Sequence, residues 1–212
     1  MGRFAELLAH DGVEEDLELR STFGFMAFHG GNLEEGTDRV AASAAEASGA
    51  SLYAVRQPAT LRWHVPSIEV DPTESPALAE FITHVDVAVA IHGYGRAGLW
   101  TTLLLGGRNR PLAAHVAGHL RTSIDACYTV VDDLDQIPKD LRGVHRRNPV
   151  NACGRGGVQI ELPPRIRSRG PFWADLPAGQ PIPHTAGLVD ALAAAARTWA
   201  ARLGAEADDA PA

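Results

Sequence analysis

The chain has 212 residues, a formal net charge of -7, a hydrophobic content of 45% and a mean hydropathy of -0.08. This length fits one domain with a sizeable core, and the hydropathy is typical of a soluble globular protein. The acidic balance argues against a general nucleic-acid binder, and the lack of a long apolar run argues against a membrane span.

The start of the chain and its cysteines bear on where the protein works. Residues 1–20 are acidic and lack the apolar h-region of a signal peptide. The chain has only two cysteines, Cys127 and Cys153, which suits a reducing compartment. Neither lies in a C-x-x-C pattern, so packing roles are expected rather than a redox or four-cysteine zinc role. We therefore expect a cytoplasmic protein. A monomer is also expected, with neither nucleic acid nor membrane as a partner.

Apolar runs and helical patterns alternate along the chain. Residues 1–20 are expected to hold a short helix and an acidic approach to the first strand. Short apolar runs bounded by turn residues predict strands at 22–28, 51–55, 86–91, 100–105, 126–131 and 158–162. Helices are predicted at 37–48, 76–84, 111–123 and 185–203. Thr37 is expected to cap the first of these four, and Ser75 to cap the second.

The order strand, helix, strand predicts parallel pairing through right-handed crossovers. We therefore predict the α/β class, with a mixed, largely parallel sheet flanked by helices in a single domain over residues 1–203. A loose acidic tail is expected over residues 204–212. The long irregular segments 56–76 and 132–157 are expected to shape a cleft.

A glycine-rich loop follows the first predicted strand and carries His29, Glu34 and Glu35. Imidazole and carboxylate are ligands of catalytic zinc, and glycines let the backbone turn tightly enough for two such side chains to meet one ion. A plain strand-to-helix turn with polar residues facing solvent explains these residues equally well. Spacing alone does not choose between Glu34 and Glu35.

Three residues of functional type lie at the carboxyl ends of predicted strands, namely His29, His92 and Glu161. Ligands of open α/β sheets bind at that edge, so the three are expected to converge. Period-two alternation places Glu161 on the same side of its strand as Gln159. A glutamate that simply reaches solvent at the strand end is the alternative for Glu161.

A basic segment in this acidic chain predicts attraction of a negatively charged ligand. In residues 142–169 the single acid is Glu161, and the arginines are Arg142, Arg146, Arg147, Arg155, Arg165, Arg167 and Arg169. Scattered solvated arginines are the alternative. A second pattern, His115 and His119 at i and i+4 of a predicted helix, lacks a third ligand nearby and is interpreted as a solvated helix face.

The motifs taken together resemble the poly-γ-glutamate hydrolase family of phages and bacteria. They run in order as His29-Gly30-Gly31-x-x-Glu34-x-Gly36-Thr37, then Ile91-His92-Gly93, then Asn148-x-x-Asn151, then Gly156-Gly157-Val158-Gln159-Ile160-Glu161-Leu162. This family looks like a compact relative of the zinc carboxypeptidases, and the resemblance spans roughly residues 20–170. The H-x-x-E motif of the larger carboxypeptidases does not match, because His29 and Glu34 are further apart.

The resemblance implies that His29, Glu34 and His92 hold one Zn2+ and that Glu161 is the general base. It places Arg146, Asn148, Asn151 and Arg155 where contacts to substrate carboxylates are expected, without assigning them singly. His64, in the loop after Trp63, is a further candidate for lining the substrate cleft, or a loop histidine packed by Trp63.

The expected activity is zinc-dependent hydrolysis of γ-glutamyl amide bonds, with an anionic polymer or peptide as substrate. The same chemistry on an N-acyl amino acid or a cell-wall peptide is one alternative. A non-catalytic, phage-related replication or binding protein on the same scaffold is the other.

Overall fold

The computed structural model describes residues 2–168 and 183–208, with side chains up to residue 199. Its strands are β1 (Glu14–Glu18), β2 (Phe23–Gly31), β3 (Ser51–Gln57), β4 (Val87–Gly93), β5 (Thr102–Leu105), β6 (Thr129–Val131) and β7 (Gly157–Leu162). Its α-helices are α1 (Arg3–Leu8), α2 (Thr37–Ser48), α3 (Pro76–His84), α4 (Arg110–Ser123) and α5 (Pro183–Asp208). Among these helices none combines the length and apolar character that crossing a bilayer requires.

The strands form one sheet in the order β1-β3-β2-β4-β7-β5-β6. The central strands β3, β2, β4 and β7 run parallel, whereas β1 and β5 each pair antiparallel with a neighbour. This arrangement confirms the predicted α/β fold with a mixed, largely parallel sheet in a single domain. It also brings the carboxyl ends of β2, β4 and β7 to the same edge.

Two apolar cores cover the two faces of the sheet. Alternating strand residues such as Phe25, Val89 and Ile160 pack against α2, α4 and α5 on one face. Met26, Phe28 and Ala90 point the other way and pack against α1 and α3. Successive side chains of a strand point to opposite faces of the sheet. His92 therefore points the same way as Ala90, and Glu161 points away from the face that holds Ile160, so both lie on the α1/α3 side.

The polar strand β1 is absent from the predictions, because its sequence Glu-Glu-Asp-Leu-Glu contains no apolar run. It is an edge strand with mostly exposed side chains, a place where charged residues are favoured. Two predicted strands begin later than expected: β5 starts at Thr102, after the exposed Trp100, and β6 starts at Thr129.

Helix ends follow the predictions in part. Ser75 Oγ accepts a hydrogen bond from the Leu78 amide, as expected for the cap of α3. The N-cap of α2 is Gly36, not Thr37, and the Thr37 hydroxyl instead donates to the Glu34 carbonyl oxygen at 2.8 Å. Helix α5 continues to Asp208, into the segment predicted as a loose tail, because alanine and glutamate, which favour helix, follow Gly204. Residues 209–212 lie outside the described part.

Candidate metal centre and substrate cavity

The loop from His29 to Gly36 is shaped by close backbone contacts. Strand β2 extends through His29 to Gly31, and its pairing with β3 shifts between Ala27 and Gly30. Gly31 has φ +68°, and a Cβ there would lie 2.1 Å from the Gln57 carbonyl oxygen. The Glu34 amide then donates to the His29 carbonyl oxygen at 2.9 Å, which turns Glu34 back toward His29. The tight glycine turn predicted from the sequence is therefore present.

His29 Nδ1 and Glu34 Oε1 lie close together, and the contacts of the His29 ring leave both of them as hydrogen-bond acceptors. His29 is 1% exposed, and its Nε2 donates to the Val65 carbonyl oxygen at 2.8 Å. A carbonyl only accepts, so Nε2 carries the hydrogen and Nδ1 of the neutral ring presents a lone pair. That lone pair lies 2.8 Å from Glu34 Oε1. A cation, either a proton or a metal ion, is needed between them.

His92 joins this pair from the neighbouring strand. Its Nδ1 lies 3.4 Å from Glu34 Oε2, and its ring centroid is 5.0 Å from that of His29. The Gly93 amide donates to the same Glu34 oxygen at 2.9 Å. Within the described residues, the buried His92 Nε2 has no hydrogen-bond partner. His92 therefore presents Nδ1 to the Glu34 carboxylate and a second, unpartnered nitrogen, Nε2, in the same buried site, and an imidazole with a free nitrogen here fits a metal ligand set.

The charges of the cluster are strongly coupled. Burial alone would raise the pKa of Glu34, but His29 and His92 hold that pKa well below its usual value. Burial opposes protonation of His92, yet Glu34 and, more weakly, Glu161 raise its pKa. The site therefore keeps Glu34 ionised and favours positive charge beside it, which is the electrostatic setting of a bound cation.

Glu161 lies next to His92 because the two residues are register partners of β7 and β4. Glu161 is 5% exposed, and burial raises the pKa of its carboxyl group, with His92 opposing the shift. Gln159 Nε2 donates to Glu161 Oε1 at 2.7 Å, and Asn148 Nδ2 donates to Gln159 Oε1 at 2.7 Å. The Asn148 contact fixes the orientation of the Gln159 amide and so directs its N–H at Glu161.

This cluster opens into a cavity of about 1260 Å³ that basic residues also line. Those residues are Lys139, His145, Arg146 and Arg147. They come from the irregular segment 132–157, which therefore shapes the cavity together with the segment that carries His64. An anionic ligand entering here would meet the positive charges of Lys139, Arg146 and Arg147 in the same space as Asp140 and the acids of the cluster.

Of the five residues predicted to contact substrate, three line the cavity and two do not. Arg146, Asn148 and His64 line the cavity. Asn151 and Arg155 are not among its lining residues. The Asn151 amide donates to the Gly143 and His145 carbonyl oxygens, so it braces the cavity loop, which its sequence spacing did not reveal.

Arg167 is a buried residue of the basic segment, and nothing in the sequence distinguishes it from the other arginines there. Its guanidinium donates to the Leu162 and Glu35 carbonyl oxygens. A Cβ on Gly93 would lie 2.5 Å from the Arg167 guanidinium carbon. Arg167 thus ties the end of β7 to the loop that carries Glu34, a contact between distant segments with no local sequence signal.

One further grouping includes His64. Single ligand atoms of His29, Glu34 and His64 all lie within 4.8 Å of one another, and His64 is exposed. Burial of part of its ring lowers the pKa of His64, with His29 adding to the shift. The other histidine pair, His115 and His119, is not part of this grouping. The Nε2 atoms of both rings lie within hydrogen-bond distance of the Thr198 hydroxyl.

The fold and the site together define an α/β protein with a candidate metal centre at the carboxyl edge of a mostly parallel sheet. The sequence matches the profile of the family described as poly-γ-glutamate hydrolase over residues 3–173. The chain therefore belongs to the poly-γ-glutamate hydrolase family, and family and fold point to a hydrolase.

Solved structures share this fold. A bacteriophage poly-γ-glutamate hydrolase superposes with a TM-score of 0.76 at 21% identity, covering 92% of this chain and 94% of that one. The zinc-free apo form of YNDL superposes with a TM-score of 0.70 at 19% identity, covering 86% of this chain and 88% of that one. The likeness to zinc carboxypeptidases stays a prediction.

A curated relative is the SPbeta prophage-derived UPF0714 protein YoqZ of Bacillus subtilis (strain 168). It is 28% identical over 139 residues, which cover 65% of this chain and 47% of YoqZ. The chain thus matches about half the length of this relative.

Proposed function

We propose that the chain is a zinc-dependent hydrolase of γ-glutamyl amide bonds, acting on poly-γ-glutamate or a γ-glutamyl peptide. The observation that carries the proposal is the cluster of buried His29 and His92 with the half-buried Glu34, beside the buried Glu161. This cluster lies at the end of a cavity that Lys139, Arg146 and Arg147 also line. Family membership and the named activity of the phage relative support the same assignment.

His29, Glu34 and His92 are the residues that would hold the metal. Val65 and Gly93 fix the orientations of His29 and Glu34 through backbone hydrogen bonds, and such supporting contacts are typical around metal ligands. Two neutral imidazoles and one carboxylate leave a zinc ion with net positive charge. When bound, the ion would activate water near neutral pH.

Glu161 is proposed as the general base. Its carboxylate takes a proton as water attacks the scissile carbonyl and then delivers that proton to the leaving amine, so the carboxylate is regenerated. The raised pKa of Glu161 suits this exchange, because a base whose pKa approaches the working pH both accepts and donates readily. Gln159 and Asn148 hold the carboxyl group in place for both steps.

The basic wall supports an anionic substrate. A γ-linked glutamate chain carries a free α-carboxylate on each residue, and a guanidinium pairs with carboxylates in bidentate geometry. Arg146 and Arg147 are exposed and line the cavity, where they can meet such carboxylates. An α-linked polyglutamate would present its carboxylates at different distances from the scissile bond.

The test combines metal analysis with a substrate comparison. We expect about one zinc per chain, loss of hydrolysis on chelation, recovery on adding zinc, and cleavage of γ-linked but not α-linked polyglutamate. Full activity in metal-free protein would exclude the zinc proposal. Cleavage of the α-linked polymer at an equal rate would exclude the proposed specificity.

A further inference from the structure

His64 lies at the solvent side of the metal cluster, held between two anchored neighbours. The Val65 carbonyl oxygen accepts from His29 Nε2 at 2.8 Å. On the other side, the Gln57 side chain holds the backbone of Trp63. Its Nε2 donates to the Trp63 carbonyl oxygen, and its Oε1 accepts from the Trp63 N–H, each at 2.8 Å. These contacts fix the backbone of His64 beside the cluster, although its side chain is exposed.

The ring of His64 lies near two of the proposed ligands, His29 and Glu34. Its centroid lies 4.9 Å from that of His29. Ligand atoms of His29, Glu34 and His64 lie within 4.8 Å of one another. Zinc bonds to nitrogen and oxygen are about 2.0–2.2 Å, so two donors of one ion lie at most about 4.4 Å apart. Rotation of the exposed His64 ring toward His29 and Glu34 would bring all three within reach of one ion.

We infer that His64 is a third imidazole ligand of the metal when no substrate is bound. This inference rests on the proposed function, because it concerns the same ion as His29, Glu34 and His92. Of the four donors His64 is the exposed one, whereas both other histidines are buried. His64 is therefore the ligand that an incoming substrate can displace, and the resting centre is closed by four protein donors.

X-ray absorption at the zinc edge tests this, because scattering from imidazole rings counts the histidine ligands. The full chain loaded with one equivalent of zinc should show three imidazoles, and His64→Ala should show two. His10→Ala is the matched control, since His10 is exposed and does not line the cavity. Zinc-loaded His10→Ala should show three imidazole ligands, like the wild type.

Zinc affinity from competition with a chromophoric chelator gives a second readout. His64→Ala should weaken binding by at least the roughly 10–100-fold that is typical of losing a residue that only supports a ligand. Circular dichroism of His64→Ala and His64→Gln verifies that both variants fold.

The outcomes separate the two proposals. Two imidazoles in both wild type and His64→Ala, with unchanged affinity, would overturn the role of His64 and leave the zinc site standing. Wild-type protein that binds no zinc would overturn the proposed function itself. Three imidazoles that fall to two only in His64→Ala would support both.

Discussion

At the scale of single residues, the account depends on how Glu161 differs from Glu34. Both are shielded carboxylates near His92, but the imidazoles lower the pKa of Glu34 whereas burial raises that of Glu161. Environment thus gives two similar side chains different tasks, one as a fixed anion for a cation and one as a group that exchanges protons.

Replacing Glu161 by Gln removes the proposed base and keeps the size of the side chain. We expect kcat to fall by about 10²–10⁴-fold, the usual contribution of general acid–base catalysis. Zinc content should stay near that of the wild type, because Glu161 is not among the proposed ligands. Steady-state kinetics with metal analysis checks both; wild-type turnover in this variant would refute the assignment.

The raised pKa of Glu161 also makes a prediction about stability. Because the native state holds this proton more tightly than the unfolded chain, its contribution to stability falls as pH rises from the usual carboxyl range through the raised pKa. In metal-free protein, Glu161→Gln should therefore be more stable than wild type at neutral pH, and the difference should disappear in acid.

Urea unfolding of both proteins in chelator at several pH values measures this difference. Equal stability of variant and wild type at neutral pH, or a gap that widens in acid, would show that burial does not penalise the ionised carboxyl group.

At the scale of elements, the turn from β2 into α2 places Glu34. Gly31 combines φ +68° with a close approach to the Gln57 backbone, whereas Gly98 has φ +82° and open space around its Cβ position. Alanine at Gly98 would meet only the strain of a left-handed backbone conformation. Alanine at Gly31 would meet the same strain and also a clash with the Gln57 backbone.

Gly98→Ala should cost about 1–2 kcal/mol of stability and leave zinc affinity unchanged, because only the backbone conformation is penalised. Gly31→Ala should cost more and weaken zinc binding, since the turn must move to admit the methyl group. Thermal unfolding and metal titration of both variants provide the measurement. Equal losses in the two variants would mean that the turn does not position the ligands.

Local patterns predicted much of the element order and the place of the site. Apolar runs identified β2 and β4, and alternation after a glycine pair identified β7. Residues at the carboxyl ends of these strands converge because the strands are parallel. The polar edge strand β1 has no such pattern. Contacts between distant segments, such as Asn148 with Gln159 or Arg167 with Glu35, leave no local trace in the sequence.

At the scale of the whole molecule, the distribution of charge matters more than its sum. The chain carries a net charge of -7, yet Arg146, Arg147 and Lys139 line the cavity. Three positive side chains on one wall of a cavity, in a protein that is acidic overall, attract an anionic polymer to that wall. Association should therefore weaken as salt screens these charges.

Arg146→Ala should lower kcat/KM on γ-linked polyglutamate about two- to fivefold at low salt, as expected for an exposed ion pair. The loss should shrink at high salt. Arg39→Ala is the matched control, because Arg39 is exposed on α2 and does not line the cavity. An equal fall in kcat/KM for both variants would show that the net charge of the protein, and not the place of Arg146, governs association with the substrate.

The central claim is that one metal ion lies between His29, Glu34 and His92. Anomalous diffraction at the zinc absorption edge, from crystals of zinc-loaded protein, tests it most directly. The account predicts one strong peak within bonding distance of these three side chains. A zinc peak elsewhere, or none in protein shown to be folded and zinc-saturated, would contradict it.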